Sequence, residues 1–214
     1  MKDINSLIDH TNLKISASKE DIKKLCEEAI QYSFRGVCVN SIWVSFLSEY
    51  LKDEGVKIIS VCDFPLGSSS TEIRKKETEL IIKNGAEEID LVMQIPLLKS
   101  KKYKEIEKDI KEIVNIASSD VILKVIIEAP VLSNVEIVTA TKIAESAGAD
   151  YIKSGTGTNG AVTINQIKTI KKTTKLPIKA AGGIKSTNMA IELLNTGASI
   201  LGSSNSIEIV KGKE

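Results

Sequence analysis

Short apolar runs alternate with longer stretches of helical period along the whole chain. Eight runs read as strands, over residues 7–11, 36–40, 57–64, 88–94, 121–128, 150–154, 177–181 and 199–202. Seven amphipathic stretches between them predict helices over 19–32, 41–54, 71–84, 102–117, 134–147, 164–173 and 187–195. Ser18 and Ser133 stand where a hydroxyl can cap a helix start, and Gly85, Gly148 and Gly197 stand where helices stop. The similar tripeptides at 84–86, 147–149 and 196–198 mark a repeated helix-to-strand junction. Strand–helix–strand units at a spacing of roughly 25 residues imply right-handed crossovers and a parallel sheet. Eight such units predict an α/β fold, a single (β/α)8 TIM barrel domain over residues 1–214. That is compact beside the ~250 residues usual for the fold. A doubly wound open sheet is the competing architecture.

Strand alternation then places charge where a barrel core should be. Asp90 sits between Ile89 and Leu91, Lys124 between Leu123 and Val125, and Lys179 between Ile178 and Ala180, while Lys153 follows Ile152. If the apolar neighbours face the helices, the four charged side chains face the barrel axis. Such groups are almost never buried unless paired. One reading is a structural ion-pair network in which Asp90 neutralises one lysine, which leaves positive charge over. The other is chemical. A partly desolvated lysine beside another ammonium has its pKa lowered, and a free amine attacks carbonyls. The pattern points to Schiff-base chemistry.

Glycine and hydroxyl clusters follow the late strands: Ser154-Gly-Thr-Gly-Thr-Asn-Gly160, Ala180-Ala-Gly-Gly-Ile-Lys185 and Leu201-Gly-Ser-Ser-Asn-Ser206. In a barrel these loops lie on the catalytic face, and those after the last two strands are its usual phosphate site. Gly155-Thr-Gly-Thr-Asn-Gly160 also matches the dinucleotide-binding glycine pattern, but no Asp or Glu occurs from 151 to 191 to hold a ribose.

Composition narrows the classes. A 42% hydrophobic and 27% charged chain of 214 residues has the make-up of a soluble globular protein. Twenty-nine basic against 28 acidic residues give a net charge of +1, with no surplus for nucleic acid. Cys26, Cys38 and Cys62 form no paired motif and fit a reducing compartment. With His10 the single histidine, a Cys/His zinc site is disfavoured, as is a histidine-based triad. Cys38 and Cys62 read as small core residues, 99–112 as a solvated helix face, and Trp43 and Phe46 as packing or subunit-contact residues. Residues 1–7, with Lys2 and Asp3, open no long apolar run, so neither a signal peptide nor a membrane span is expected and the cytoplasm is the expected location.

At these residues the sequence resembles the deoxyribose-phosphate aldolases, class I aldolases that use a lysine Schiff base. Ile8-Asp-His-Thr-Asn-Leu-Lys14, Val37-Cys-Val-Asn40, Phe64-Pro-Leu-Gly67, Glu88-Ile-Asp-Leu-Val92 and Leu123-Lys-Val-Ile-Ile-Glu128 fall in the family's order. Tyr151-Ile-Lys-Ser-Gly-Thr-Gly157 and Ile178-Lys-Ala-Ala-Gly-Gly-Ile184 are the most specific pieces. The resemblance implies reversible cleavage of 2-deoxy-D-ribose 5-phosphate to D-glyceraldehyde 3-phosphate and acetaldehyde, in deoxynucleoside catabolism. It implies Lys153 as the imine-forming lysine, Lys179 as the lysine that keeps it neutral, and Asp90 as the proton relay. Gly157, Gly182, Gly183, Gly202 and Ser204 match positions around the substrate phosphate, and Lys124 and Cys38 match site-lining positions. No metal or cofactor is implied, and partners are limited to small substrates and further copies of the chain, as a dimer or tetramer. Three departures stand out: Lys153-Ser-Gly-Thr-Gly157 for the usual Lys-Thr-Ser-Thr-Gly, Ala129-Pro130 after Glu128 where Thr-Cys is common, and Asp63 before Phe64. A related imine-forming aldolase for another phosphosugar, and a non-catalytic phosphosugar-binding protein, are the alternatives.

Overall fold

A computed structural model describes residues 4–212. Residues 1–3, and with them Lys2 and Asp3, lie outside the described residues, as do 213–214.

The strands are β1 (Ile8–Asn12), β2 (Gly36–Val39), β3 (Lys57–Cys62), β4 (Glu88–Val92), β5 (Ile122–Ile126), β6 (Tyr151–Lys153), β7 (Ile178–Ala181) and β8 (Ile200–Ser203). Each pairs in parallel with the next and β8 pairs with β1, which closes the (β/α)8 barrel and excludes the open sheet. Around it run α1 (Lys19–Gln31), α2 (Val44–Tyr50), α3 (Thr71–Lys83), α4 (Ile95–Lys99), α5 (Tyr103–Ala117), α6 (Asn134–Ser146), α7 (Ile164–Thr173), α8 (Thr187–Thr196) and α9 (Ser206–Val210).

Helix starts follow local chemistry. Ser18 and Ser133 accept from the amides of Asp21 and Glu136, and those carboxylates accept back from the cap amides. Each such reciprocal cap is worth about 1 kcal/mol. Outward strand residues Ile89, Leu91, Leu123, Val125, Ile152 and Ile178 are buried with helix residues such as Ile22, Ile81, Ile110, Ile167 and Leu193 in one continuous core. Inside the barrel a small apolar cluster, Cys38, Ile59 and Val61, sits under half-buried Leu13 and Phe64. Between these residues and buried Val92, Ile126 and Ile200, charged side chains fill the interior. Trp43 and Phe46 pack half-buried against the outer core. No helix among the described residues is long and apolar enough to cross a membrane.

Several strands stop earlier than their apolar runs. Asp63 (φ 53°) and Glu128 (φ 52°) turn left-handed beyond β3 and β5, which ends pairing there. Gln94 leads into α4, whose first turn holds Pro96, a residue suited to a helix start. The apolar stretch at 41–54 splits into a 3-10 turn at Ser41–Trp43 and the shorter α2. Helices α4 and α9 are five residues each, too short to carry a period. The charged stretch at 99–112 is broken at Lys101 (φ 59°), and its Asp109 is buried rather than solvated because Arg74 lies beside it.

Candidate active site

Register brings the charged side chains together. Asp90 pairs across from Lys124, and Lys153 from Lys179. Because β4 to β7 are consecutive neighbours, four inward side chains converge on one level of the barrel. Asp90 Oδ1 accepts from Lys124 Nζ at 3.0 Å. Asp90 Oδ2 accepts from Lys153 Nζ at 2.9 Å and from Lys179 Nζ at 2.8 Å. One carboxylate thus serves three ammonium groups, where the purely structural reading paired it with one lysine. Cys38 Sγ lies 3.9 Å from the same Oδ2.

The interior also holds acids that the sequence reading passed over. Lys179 Nζ lies 2.6 Å from Asp9 Oδ2, and Lys124 Nζ lies 2.5 Å from Glu88 Oε2. Arg35 closes the network below, donating from Nη1 to Asp9 Oδ1 at 2.7 Å and to Glu88 Oε2 at 3.0 Å, and from Nη2 to Glu88 Oε1. Four cations therefore face three carboxylates, an excess of one. Alternation could have found Glu88, two residues from Asp90 on the same strand face, and Asp9, flanked by outward Ile8. Arg35 precedes its strand, and no pattern singled it out.

This pairing sets the protonation states. Burial pushes Asp90 up, but Lys124, Lys153 and Lys179 outweigh it and hold it well below the usual carboxylate range. Burial pushes Lys179 down, yet Asp9 and Asp90 outweigh that and raise it above the ordinary lysine value. The expectation that crowding lowers an amine's pKa is thus reversed at Lys179, because its carboxylate contacts are closer and more numerous than foreseen. Burial raises the Cys38 thiol, which is inert core chemistry. His10 Nε2 meets Glu28 Oε2 at 2.9 Å, a partner on α1 and not a nucleophile.

A cavity of about 770 Å³ opens at the C-terminal end of the strands. Lys153, Gly157, Gly182, Gly183, Gly202 and Ser204 all line it. Asp90, Lys179, Lys124 and Cys38 do not: they are fully buried below its floor. Lys124 and Cys38, expected to line the site, are held down by the Asp90 and Glu88 contacts. Among the four clustered side chains, only Lys153 reaches the cavity. Gly202 also leaves room for the Lys179 side chain, since a Cβ there would lie 3.0 Å from Lys179 Cε and crowd it.

Comparison with known proteins matches this frame. A family model described as DeoC/LacD family aldolase covers residues 5–203. The chain belongs to this family of aldolases. Among curated relatives named deoxyribose-phosphate aldolase, that of Natranaerobius thermophilus is 43% identical over all of this chain and 98% of its own length. That of Mycoplasma capricolum is 44% identical over 99% and 96%. The solved deoxyribose phosphate aldolase of Aeropyrum pernix, described as a unique tetramer, superimposes with a TM-score of 0.91 at 29% identity, covering 97% of this chain and 89% of its own. The chain is therefore an enzyme, a carbon–carbon lyase of the deoxyribose-phosphate aldolase kind.

Within the aldolase frame the departures from motif have definite places. Ser154 Oγ donates to Ala181 O and accepts from Ala181 N, both at 2.9 Å, which ties the end of β6 to the end of β7. Asp63 accepts from Ser69 Oγ at 2.9 Å and sits beside Arg74, shaping the turn that carries Phe64 to the cavity wall. The glycine-rich 155–160 loop packs on Gly182 and runs to Thr163, whose hydroxyl caps α7 with no acidic partner of the dinucleotide kind.

Proposed function

We propose that the protein reversibly cleaves 2-deoxy-D-ribose 5-phosphate to D-glyceraldehyde 3-phosphate and acetaldehyde through a Schiff base on Lys153. The observation that carries this reading is that Lys153 is the one amine of the Asp90 cluster with access to the cavity. In free-amine form its Nζ adds to the C1 aldehyde and water leaves. The resulting iminium draws in the electrons of the C2–C3 bond. That bond breaks, the C3 hydroxyl loses its proton, and glyceraldehyde 3-phosphate departs. The enamine left on Lys153 is protonated at C2, and returning water releases acetaldehyde and the amine.

Asp90, held anionic, accepts and returns protons through a bound water, and the firmly protonated Lys179 shares the Asp90 Oδ2 with Lys153. Positioned proton transfer of this kind contributes about 10²–10⁴-fold. Gly157, Gly182, Gly183, Gly202 and Ser204 surround the phosphate, with backbone amides and hydroxyls as donors. Lys124 and Cys38 support the floor from beneath.

The reaction serves deoxynucleoside catabolism in the cytoplasm, without membrane or nucleic-acid partners, and needs no metal or cofactor. Exposed Ile15, Ile42 and Val135 favour a homo-oligomer, dimer or tetramer, which light scattering after gel filtration checks. A coupled assay for glyceraldehyde 3-phosphate release from deoxyribose 5-phosphate tests the activity. Turnover is expected with the native chain and lost in Lys153→Ala, and an active Lys153→Ala variant would refute the assignment.

A further inference from the structure

Two of the departures from family motif, Ala129-Pro130 after β5 and Ser154-Gly155 after β6, meet in space. A Cβ at Gly155 would lie 3.1 Å from Glu128 Oε1 and 3.3 Å from Pro130 Cδ. A Cβ at Gly160 would lie 3.4 Å from Pro130 Cβ. Glu128 and Pro130 thus brace both ends of the 155–160 loop from one side. From the other, a Cβ at Gly157 would meet Gly182 Cα at 3.4 Å, and Val162 N donates to Gly182 O at 3.0 Å.

Glu128 is an unusual brace. Its backbone is left-handed (φ 52°, ψ 50°), a costly conformation for a residue with a side chain. Its side chain is buried, yet Oε2 has no hydrogen-bond partner, and Oε1 accepts one bond, from Thr156 N at 3.2 Å. A buried carboxylate so sparsely satisfied destabilises the fold and calls for a reason beyond packing. The bond it does make leads into the cavity wall. Thr156 Oγ1 accepts from Thr158 N at 3.1 Å, and the two hydroxyls lie 2.7 Å apart. Thr156, Gly157 and Thr158 line the cavity; Glu128 does not.

We propose that Glu128 is a positioning residue that, through the Thr156 amide, holds the 155–160 loop in the shape that recognises the phosphate of the sugar substrate. Gly155 leaves room for the carboxylate, and Pro130 backs the loop in place of a longer side chain at 155. This inference rests on the proposed cleavage of a phosphorylated sugar, and the experiment separates the two.

Steady-state kinetics are measured on deoxyribose 5-phosphate and on unphosphorylated 2-deoxyribose. Glu128→Ala is expected to raise KM for the phosphorylated sugar about tenfold, the size of one lost charge-assisted hydrogen bond. The preference for the phosphorylated over the plain sugar should fall by a similar factor. Glu128→Gln, which keeps an acceptor oxygen, should restore most of it. Gly155→Ala should act in the same direction and add little to Glu128→Ala. An unaltered preference in folded Glu128→Ala, or equal losses on both sugars, overturns the proposal. If Glu128→Ala fails to fold, an unaltered preference in Gly155→Ala does so instead. Inorganic phosphate, titrated against native protein and variants by calorimetry, distinguishes the two readings. Native protein that binds phosphate without cleaving the sugar refutes the activity. The positioning role is then upheld by weaker phosphate binding in Glu128→Ala and overturned by undiminished binding.

Discussion

Asp90 inside the barrel and Arg74 outside it are both fully buried charges with several partners. Arg74, on α3, donates from Nη2 to Val92 O at 2.6 Å. Its Nη1 lies 3.2 Å from Asp109 Oδ2 and its Nε 3.7 Å from Asp63 Oδ2. One cation there faces two carboxylates, and the group ties α3, α5, the end of β4 and the turn after β3 together. None of its three members reaches the large cavity. Around Asp90 the balance is inverted, with cations in excess and one of them, Lys153, exposed to the cavity. Buried charge is thus common to scaffold and site. What separates them is a surplus of the reactive type and a way in for substrate.

The sharpest way to break this contrast is to neutralise both centres. Asp90→Asn removes the acceptor shared by three lysines, and turnover should fall about 10²–10⁴-fold in the coupled assay. A loss below tenfold would place Asp90 with the scaffold. Arg74→Met should do the reverse. Stranding Asp63 and Asp109 should cost about 3–5 kcal/mol in urea unfolding, while the folded fraction still forms a borohydride-trapped adduct at Lys153. Lost trapping with unaltered stability would erase the distinction.

A smaller effect separates the two by pH. Burial pushes Asp90 up, but three lysines override it and lower its pKa, so its stabilisation is present above about pH 4 and lost as pH falls through the folded pKa. Burial at Asp109 outweighs Arg74 and Thr71 and raises its pKa, so its contribution to stability falls as pH rises from about 4 toward that value. Lys179, raised by Asp9 and Asp90 against burial, stabilises fully below about pH 10 and loses that contribution as pH climbs through its folded pKa. Urea midpoints across acid pH should therefore flatten in Asp90→Asn and steepen in Asp109→Asn. The same direction of change in both variants would contradict the assignment.

The barrel was legible because parallel strands buried on both faces leave continuous apolar runs, and because glycine stops punctuate α3, α6 and α8. Lys124, Lys153, Lys179 and Asp90 were legible because a charge amid Ile and Leu breaks such a run. Asp9, Glu88 and Arg35 were harder to see. Glu88 and Asp9 sit at or near strand starts, where a charge looks like a turn residue, and Arg35 acts from outside its strand. The Glu128–Gly155 contact lies beyond sequence reasoning altogether, since a backbone turn and a neighbouring loop create it.

The most direct measurement is borohydride reduction of the protein in the presence of acetaldehyde, followed by peptide mass mapping. An ethyl adduct on Lys153, absent from Lys179 and Lys124 and abolished in folded Lys153→Ala, is the predicted result. An adduct on another lysine, or none at all in protein that turns over deoxyribose 5-phosphate, would contradict the claim that Lys153 is the reacting amine.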